Sequence, residues 1–246
     1  MSDTVEKGER IAKVLARAGL CSRREAERWI ADGRVSVDGR QLDTPAVTVT
    51  SRNTVIVDGQ PLPDREPTRL WRYHKPVGLV TSHKDPGGRP TVFNNLPPHL
   101  PRVVSVGRLD ISSEGLLLLT NDGELERRLE LPATAWTRRY RARVHGPIDK
   151  PRLARLENGV VIEGVRYGPI KASLDESSGG TNAWLTLALN EGKNREVRRV
   201  LEHMNLIVNR LIRVAYGPFQ LGNLEAGDVY EVRKKAMREQ LGDLLP

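Results

Sequence analysis

Four consecutive leucines at positions 116–119 form the longest unbroken aliphatic run in this chain of 246 residues. A short apolar run of this kind predicts a buried strand inside a sheet. It is far too short to cross a membrane. A sheet built around this strand is therefore the first constraint that the sequence places on the fold.

An acidic residue stands shortly before the leucines, within "VGRLDISSEGLLLLTNDGE" (residues 106–124). Asp110 lies between this run and a valine-rich run at residues 103–106. A carboxylate between two buried strands costs free energy unless it is paired or used in the function. A single aspartate after a strand is most often a turn or capping residue. Asp110 is therefore a turn residue, an ion-pair partner or a functional group.

Composition restricts the class of protein. Hydrophobic residues make up 38% of the chain and charged residues 28%, as in a soluble globular protein rather than a disordered one. The first ten residues are charged and lack the apolar core of a signal peptide, so we expect a cytoplasmic protein. A single cysteine and five histidines argue against a disulfide framework and a conventional zinc site. We therefore predict no metal and no other cofactor.

Basic charge is concentrated in the larger, C-terminal part. Residues 1–66 carry 11 basic and 11 acidic side chains, whereas residues 67–246 carry 28 and 20, which is the whole net charge of +8. Such an excess is typical of a protein with a polyanionic partner, although a merely basic surface would give the same number.

The first sixty residues have the pattern of two helices followed by strands. The apolar residues of "ERIAKVLARAGL" recur at helical spacing. "SRRE" is a capping box, in which Ser22 and Glu25 satisfy each other's backbone amides, and the helix that it begins should end near Ala31. "RVSVDG" and "TVIVDG" alternate like strands that end in Asp-Gly turns. The proline-rich stretch that follows predicts a small domain at 1–62, a linker at 63–67 and a larger domain at 68–246.

The larger part alternates apolar runs with Gly-Pro turns. We predict strands at residues 78–82, 103–106, 116–120, 140–144, 160–162 and 183–189, and helices at 124–131, 150–158 and 195–204. Short loops join several of these strands, which favours a mixed, mostly antiparallel sheet flanked by helices. The fold class is therefore α+β.

Six cations lie on the two N-terminal helices: Arg10, Lys13, Arg17, Arg23, Arg24 and Arg28. Arg23 and Arg24 stand at a helix N-terminus, where the dipole disfavours cations and free amides attract phosphate. We predict that this helical surface binds a phosphate backbone. A solvated surface with ion pairs to Glu25 and Glu27 is the alternative.

Three further stretches contain candidate functional residues. In "YHKPVGLVTS", Lys75 also fits an ordinary turn; in "RRYRARVHG", Tyr140 also fits a half-buried strand tyrosine. In "EGKNREVRRV", Arg195 and Arg198 are three residues apart on one helical face, and Arg198 is better placed than Arg199 to point inward.

Together these stretches resemble one family. "GRLDISSEGLLLLTNDGEL", "KPVG", "RRYRARVHG" and "EGKNREVRRV" are similar to the motifs of the RsuA/RluB/RluE/RluF family of rRNA pseudouridine synthases. "RIAKVLARAGLCSRREAERWIADGRVSVDG" resembles the S-four-type (α-L) RNA-binding domain. The resemblance continues to "LIRVAYGPFQLGNL" and spans nearly the whole chain. It assigns RNA binding to residues 1–62, including the six cations, and catalysis to residues 68–246.

The resemblance implies roles for individual residues. Asp110 matches the catalytic aspartate, Tyr140 the aromatic residue beneath the target base, and Arg198 the arginine that pairs with the aspartate. Four cations are assigned to substrate binding: Lys75, Arg108, Lys193 and Arg195. The chain departs from the family pattern at Ser113, where threonine is common, and in "LELPATAWTRRY", which replaces a His-Pro-Ser segment.

The implied reaction converts a uridine of rRNA to pseudouridine on a base that has left its helix. An arginine in contact with the aspartate would keep that carboxylate charged in a partly dry pocket. "RRYRARVHG" and "EGKNREVRR" are closer to the large-subunit branch, which implies 23S rRNA as the partner of a monomeric enzyme. The alternatives are a 16S rRNA pseudouridine synthase and a non-catalytic RNA-binding factor in ribosome assembly.

Overall fold

The computed structural model describes residues 8–175 and 182–246, in two compact units. One unit contains the residues up to Thr68 with two short segments, 101–103 and 121–123, and the other contains the rest. The charged N-terminus, where no signal peptide is predicted, lies mostly outside the described residues. No helix in the described part of the chain has the length and hydropathy that a bilayer crossing requires.

The smaller unit follows the sequence prediction closely. Its helices are α1 (Ile11–Arg17) and α2 (Arg23–Ala31), and its strands are β1 (Glu9–Arg10), β2 (Val35–Val37), β3 (Arg40–Gln41), β4 (Thr48–Val49), β5 (Val55–Val57) and β6 (Gln60–Pro61). The capping box is confirmed: the Ser22 hydroxyl accepts the amide of Glu25 at 3.1 Å, and the Glu25 carboxylate accepts the amide of Ser22. Both helices pack against strands β2, β4 and β5 through a core that includes Ile11, Leu15 and Ile30.

The larger unit is built on one mixed sheet. The strands of this sheet are β7 (Leu70–Lys75), β8 (Val104–Val106), β9 (Glu114–Thr120), β10 (Arg138–His145), β13 (Ile170–Leu174), β14 (Asn182–Leu189), β15 (Ile207–Tyr216), β16 (Phe219–Gln220) and β17 (Val229–Glu231). Two further strands, β11 (Val160–Ile162) and β12 (Val165–Tyr167), pair with each other in a separate hairpin. Its helices are α3 (Gly123–Glu130), α4 (Lys150–Arg155), α5 (Glu196–His203) and α6 (Lys234–Leu241). The main path of the sheet runs β13-β14-β10-β15-β9-β7-β17. Its pairs are antiparallel except β9 with β15, so the predicted α+β fold with a mostly antiparallel mixed sheet is confirmed.

Two hydrophobic cores cover this sheet. One packs α4 and α5 against β10, β13 and β14, and the other packs α3 and α6 against β7 and β9. All four leucines of the opening run are fully buried in β9, as predicted. Strand β9 pairs with β7 on one side and β15 on the other, so it lies at the centre of the sheet.

One predicted strand is wrong, and several strands were not predicted. Residues 78–82 form a loop with a single bridge, Val80 to Thr91, because Gly78 adopts a φ of +89° and its amide donates to Ile111 O. Strands β7 and β15 carry cations between their apolar residues, which interrupts the alternation that identifies a strand. The remaining predicted helices and strands agree with the structure to within a few residues, except that the end of the 150–158 helix is a 3-10 turn.

Candidate active site

Asp110 lies on the loop between β8 and β9, residues 107–113, here called the Asp110 loop. The amide of Ser113 donates to Asp110 O at 3.0 Å and closes a tight turn. From the neighbouring segment, the hydroxyl of Thr81 donates to Leu109 O at 2.8 Å and the amide of Gly78 donates to Ile111 O at 2.7 Å. The backbone on both sides of Asp110 is thereby fixed.

Lys75 supports the Asp110 loop from inside the protein. Its side chain is fully buried at the end of β7, and Nζ donates to the carbonyls of Asp110 at 3.1 Å, Ser113 at 2.9 Å and Pro76 at 2.9 Å. Burial lowers the pKa of Lys75 to about 8, and the nearby Asp110 and Glu114 carboxylates limit the decrease. An ammonium has three donors, and all three are used here. In this structure the amine of Lys75 holds the loop, and its role in substrate binding stays a prediction.

A cavity of about 840 Å³ opens beside the Asp110 loop. The residues that line it include Arg108, Asp110, Tyr140, Lys193, Arg195 and Arg213. Asp110 keeps about a third of its side-chain surface exposed, and Tyr140 is partly buried on β10. The structure thus brings Asp110 and Tyr140 together with three of the four predicted substrate-binding cations.

The arginine nearest to Asp110 differs from the prediction. Arg195 Nη1 lies 3.8 Å from Asp110 Oδ2, and no other ion pair of Asp110 occurs among the described residues. Arg198 is buried on α5, where its Nη1 donates to Val208 O at 3.1 Å and its Nη2 to Ser112 O at 2.9 Å. Arg198 points inward as expected and binds the backbone of the Asp110 loop, and its pairing with the carboxylate stays a prediction.

The position of Arg195 follows from the start of α5. Arg195 is the residue that precedes the first turn, and its φ of 51° places it in the left-handed region. Such a conformation costs a side-chain-bearing residue free energy and is often found at functional sites. Because Arg195 lies before the regular helix, its side chain reaches the cavity while that of Arg198 reaches the interior.

Glu196 fixes the turn that carries Arg195. Its carboxylate accepts the amide of Lys193 at 2.8 Å, its other oxygen has no partner among the described residues, and its side chain is buried. Burial raises the pKa of Glu196 to about 7, and the adjacent Glu191 carboxylate adds to the increase, while the amide of Lys193 opposes it. Sequence reasoning missed Glu196 because its burial depends on the path of residues 190–195.

We expect Glu196→Gln to stabilise the protein above pH 7. Between about pH 4.5 and pH 7 the folded chain holds a proton on Glu196 that the unfolded chain releases, so wild-type stability decreases as the pH rises through this interval. Glutamine cannot ionise and keeps an oxygen for the Lys193 amide. Thermal unfolding should give Glu196→Gln a midpoint a few degrees higher at pH 8 and an equal midpoint near pH 4. The exposed Glu157→Gln is the matched control; equal midpoints for Glu196→Gln and wild type at pH 8 would contradict the assignment.

Two further arginines line the cavity and were not predicted. Arg138 and Arg213 approach the ring of Tyr216, with guanidinium carbons 4.8 and 5.2 Å from the ring centre. Arg138 also donates to the Tyr216 hydroxyl at 3.1 Å, and Arg213 donates from Nε to Leu116 O at 2.7 Å. Two cations on one aromatic ring give this side of the cavity a positive charge. Because Arg213 is buried within a strand, no periodicity in the sequence marks it.

The predicted RNA-binding cations of the smaller unit differ in their surroundings. Lys13 and Arg17 both contact Glu9, at 2.5 and 3.2 Å. The other four are exposed: Arg10, Arg23, Arg24 and Arg28. As for metals, no cluster of three or more His, Cys, Asp or Glu residues suited to an ion occurs within residues 8–175 and 182–246.

Comparison with known families identifies the larger unit. Residues 69–203, which include the Asp110 loop, β10 and α5, match the model of the RNA pseudouridylate synthase family. The chain belongs to this family. Residues 9–56 match the S4 domain, so the resemblance deduced from the sequence is confirmed for both parts of this pseudouridine synthase.

Individual relatives agree with this assignment. An uncharacterized RNA pseudouridine synthase of Rickettsia bellii is 48% identical over 92% of this chain and 98% of its own length. The ribosomal large subunit pseudouridine synthase B of Yersinia pestis is 44% identical over 87% of this chain and 69% of its own. That of Pseudomonas aeruginosa is 42% identical over 96% of this chain and 64% of its own. A crystal structure of a pseudouridylate synthase superimposes with a TM-score of 0.65 over 94% of this chain and 99% of the other at 24% identity, which shows a shared fold.

Proposed function

We propose that this pseudouridine synthase isomerises a uridine of ribosomal RNA, and that the uridine belongs to the 23S rRNA of the large subunit. The observation that carries the proposal is the position of Asp110, whose carboxylate faces a cavity large enough for a nucleotide. Lys75 holds the Asp110 loop in place through two of its backbone carbonyls. Family membership supports the reaction. The Yersinia and Pseudomonas relatives are named as large subunit enzymes, which supports 23S rRNA as the substrate.

The proposed roles follow from position in the cavity. Pseudouridine forms when the bond from uracil N1 to ribose C1′ breaks and a bond from C5 to C1′ forms. C5 loses its proton and N1 gains one, so the product is an isomer of the substrate. Asp110 acts on the nucleotide as nucleophile or base, and Tyr140 stacks on the base, which is worth about 1–3 kcal/mol. Arg195 places a positive charge 3.8 Å from the carboxylate. Arg198 and Lys75 position the Asp110 loop rather than contact the nucleotide.

The remaining cations supply affinity for RNA. Arg108 and Lys193 line the cavity and are exposed, so we assign them to the backbone of the bound nucleotide. Arg10, Arg23, Arg24 and Arg28 belong to the S4 domain, where exposed guanidinium groups can neutralise phosphates. We propose a cytoplasmic monomer without cofactor whose partner is rRNA.

The substrate can be tested directly with unmodified transcripts. Purified protein would be incubated with 23S and, separately, 16S transcripts, and pseudouridine would be mapped by carbodiimide treatment and primer extension. We expect one strong stop in 23S rRNA and none in 16S rRNA. A stop in 16S rRNA alone would overturn the large-subunit assignment. Binding to either RNA without product would instead support an assembly factor.

A further inference from the structure

Strand β10 presents arginines on the face of the sheet that points away from the cavity. Because alternate residues of a strand point to opposite faces, Tyr140 and Ala142 face the α5 side, whereas Arg139, Arg141 and Arg143 face the other side. Neither the catalytic proposal nor the packing of the core uses these three arginines. They belong to "RRYRARVHG", a stretch that the proposed reaction explains only through Tyr140.

Neighbouring strands extend this charge across the same face. In the pairing register, Arg143 is opposite Arg210 of β15 and Trp184 of β14. Arg139 is opposite Ala188, which in turn is opposite Lys171 of β13. We call the surface formed by Arg139, Arg141, Arg143, Lys171, Trp184 and Arg210 the arginine face.

Most of the charge on the arginine face has no acidic partner within residues 8–175 and 182–246. Arg141 pairs with Asp175 at 2.7 Å, and Arg210 pairs with Glu114. The other three cations, Arg139, Arg143 and Lys171, are exposed and form no ion pair with any described residue. Arg143 lies opposite Arg210, whose charge is compensated by Glu114, so the uncompensated charge of the face comes from Arg139, Arg143 and Lys171. A bound anion would compensate this charge.

The spacing and chemistry of the arginine face fit an extended polyanion. Alternate residues on a strand are about 6.6 Å apart, so Arg139, Arg141 and Arg143 form a regular row of cations. The guanidinium carbon of Arg141 lies 4.7 Å from the centre of the Trp184 ring. Arginine rows beside an aromatic ring are typical of surfaces that bind a nucleic-acid backbone.

We propose that the arginine face binds the sugar-phosphate backbone of a second segment of the RNA whose uridine occupies the cavity. The inference rests on the proposed function, since it takes RNA as the substrate. The face lies across the sheet from Tyr140, so one nucleotide cannot reach both surfaces. A long, folded RNA can contact both, whereas a short stem-loop that fills the cavity cannot.

The triple variant Arg139→Gln, Arg143→Gln, Lys171→Gln tests this surface. Dissociation constants would be measured for a 23S rRNA transcript and for a short stem-loop that carries the mapped uridine, over a series of salt concentrations. For the long transcript we expect about tenfold weaker binding near 0.1 M salt. The slope of the logarithm of the binding constant against the logarithm of salt concentration should be smaller in magnitude by about 2–3. Affinity for the stem-loop should change by less than about twofold.

Matched variants separate a local surface from net charge and from misfolding. Arg233→Gln, Lys234→Gln, Arg238→Gln removes three exposed cations at α6, and it should keep the wild-type slope. Arg139→Lys, Arg143→Lys keeps the charge and should also bind normally. Equal affinity of the first triple variant and wild type for the long transcript would overturn the inference. Equal losses in both triple variants, or an equal loss on the stem-loop, would also overturn it.

The two proposals fail in different ways. If wild type forms no pseudouridine while the arginine-face variant still loses affinity for the long transcript, the proposed function is wrong and the RNA surface stands. If wild type forms pseudouridine and the variant binds the long transcript normally, the arginine face is wrong and the proposed function stands.

Discussion

Asp110→Asn should abolish pseudouridine formation while the protein remains folded and continues to bind RNA. Asparagine has the shape of aspartate but can act neither as a nucleophile nor as a base at neutral pH. The backbone contacts that fix the Asp110 loop, from Lys75, Thr81 and Gly78, do not involve the carboxylate. We expect a decrease in kcat of at least about 10³-fold with an affinity for RNA close to wild type. Single-turnover assays and a filter-binding titration on the same transcript would measure the two quantities.

The control for this prediction is Asp64→Asn, at an exposed position outside the helices and strands. It removes the same charge from the protein and should leave the rate unchanged. An Asp110→Asn enzyme that forms product at the wild-type rate would refute the catalytic assignment. An equal thermal midpoint for the two variants would show that the loss of activity arises from the chemistry of the carboxylate.

Gly115→Ala should cause the largest loss of stability among single methyl additions to this sheet. Gly115 follows the first residue of β9 and has a φ of +107°. A Cβ at this position would lie 2.3 Å from the carbonyl oxygen of Arg213 and 2.7 Å from its amide nitrogen. These are backbone atoms of β15, so the clash can be relieved only by separation of the two strands. We expect a loss of about 3–5 kcal/mol from the clash and the strained φ together.

Thermal unfolding would measure this effect as a midpoint lower by roughly 10 °C. Gly164→Ala is the matched control, because Gly164 has a φ of +78° but an added methyl group would meet no neighbouring atom within 4 Å. The Gly164→Ala variant should lose only the free energy of the left-handed backbone conformation, about 1 kcal/mol. If both variants unfold at the same temperature, contact between β9 and β15 at Gly115 is looser than the structure shows.

Local signals in the sequence predicted the parts of the fold that local interactions determine. Ser22 and Glu25 are three residues apart and satisfy each other, so the start of α2 could be read directly. Four leucines in a row identified the buried strand β9 without knowledge of its neighbours. The existence of β15 could not be read in this way, because its buried Arg213 donates to the carbonyl of Leu116, which lies far away in the sequence.

The candidate site shows the same limit. Asp110 and Tyr140 each stand out from a short stretch of sequence, and both line one cavity in the structure. The spacing of Arg195 and Arg198 predicted that both lie on one helix, but Arg195 precedes the helix in a left-handed conformation. That single backbone angle decides which arginine reaches the carboxylate. Residue spacing contains no information about it.

The parallel contact between β9 and β15 also has a consequence for synthesis of the chain. Strand β9 begins directly after the Asp110 loop, but the strand that pairs with Glu114 and Gly115 is made only when residues 207–216 are translated. Pairing between such distant segments is slow to form and leaves apolar strands exposed until it is complete. A nascent chain on the ribosome thus contains the whole Asp110 loop well before it contains β15. The candidate site therefore gains this support only after residues 207–216 have been synthesised.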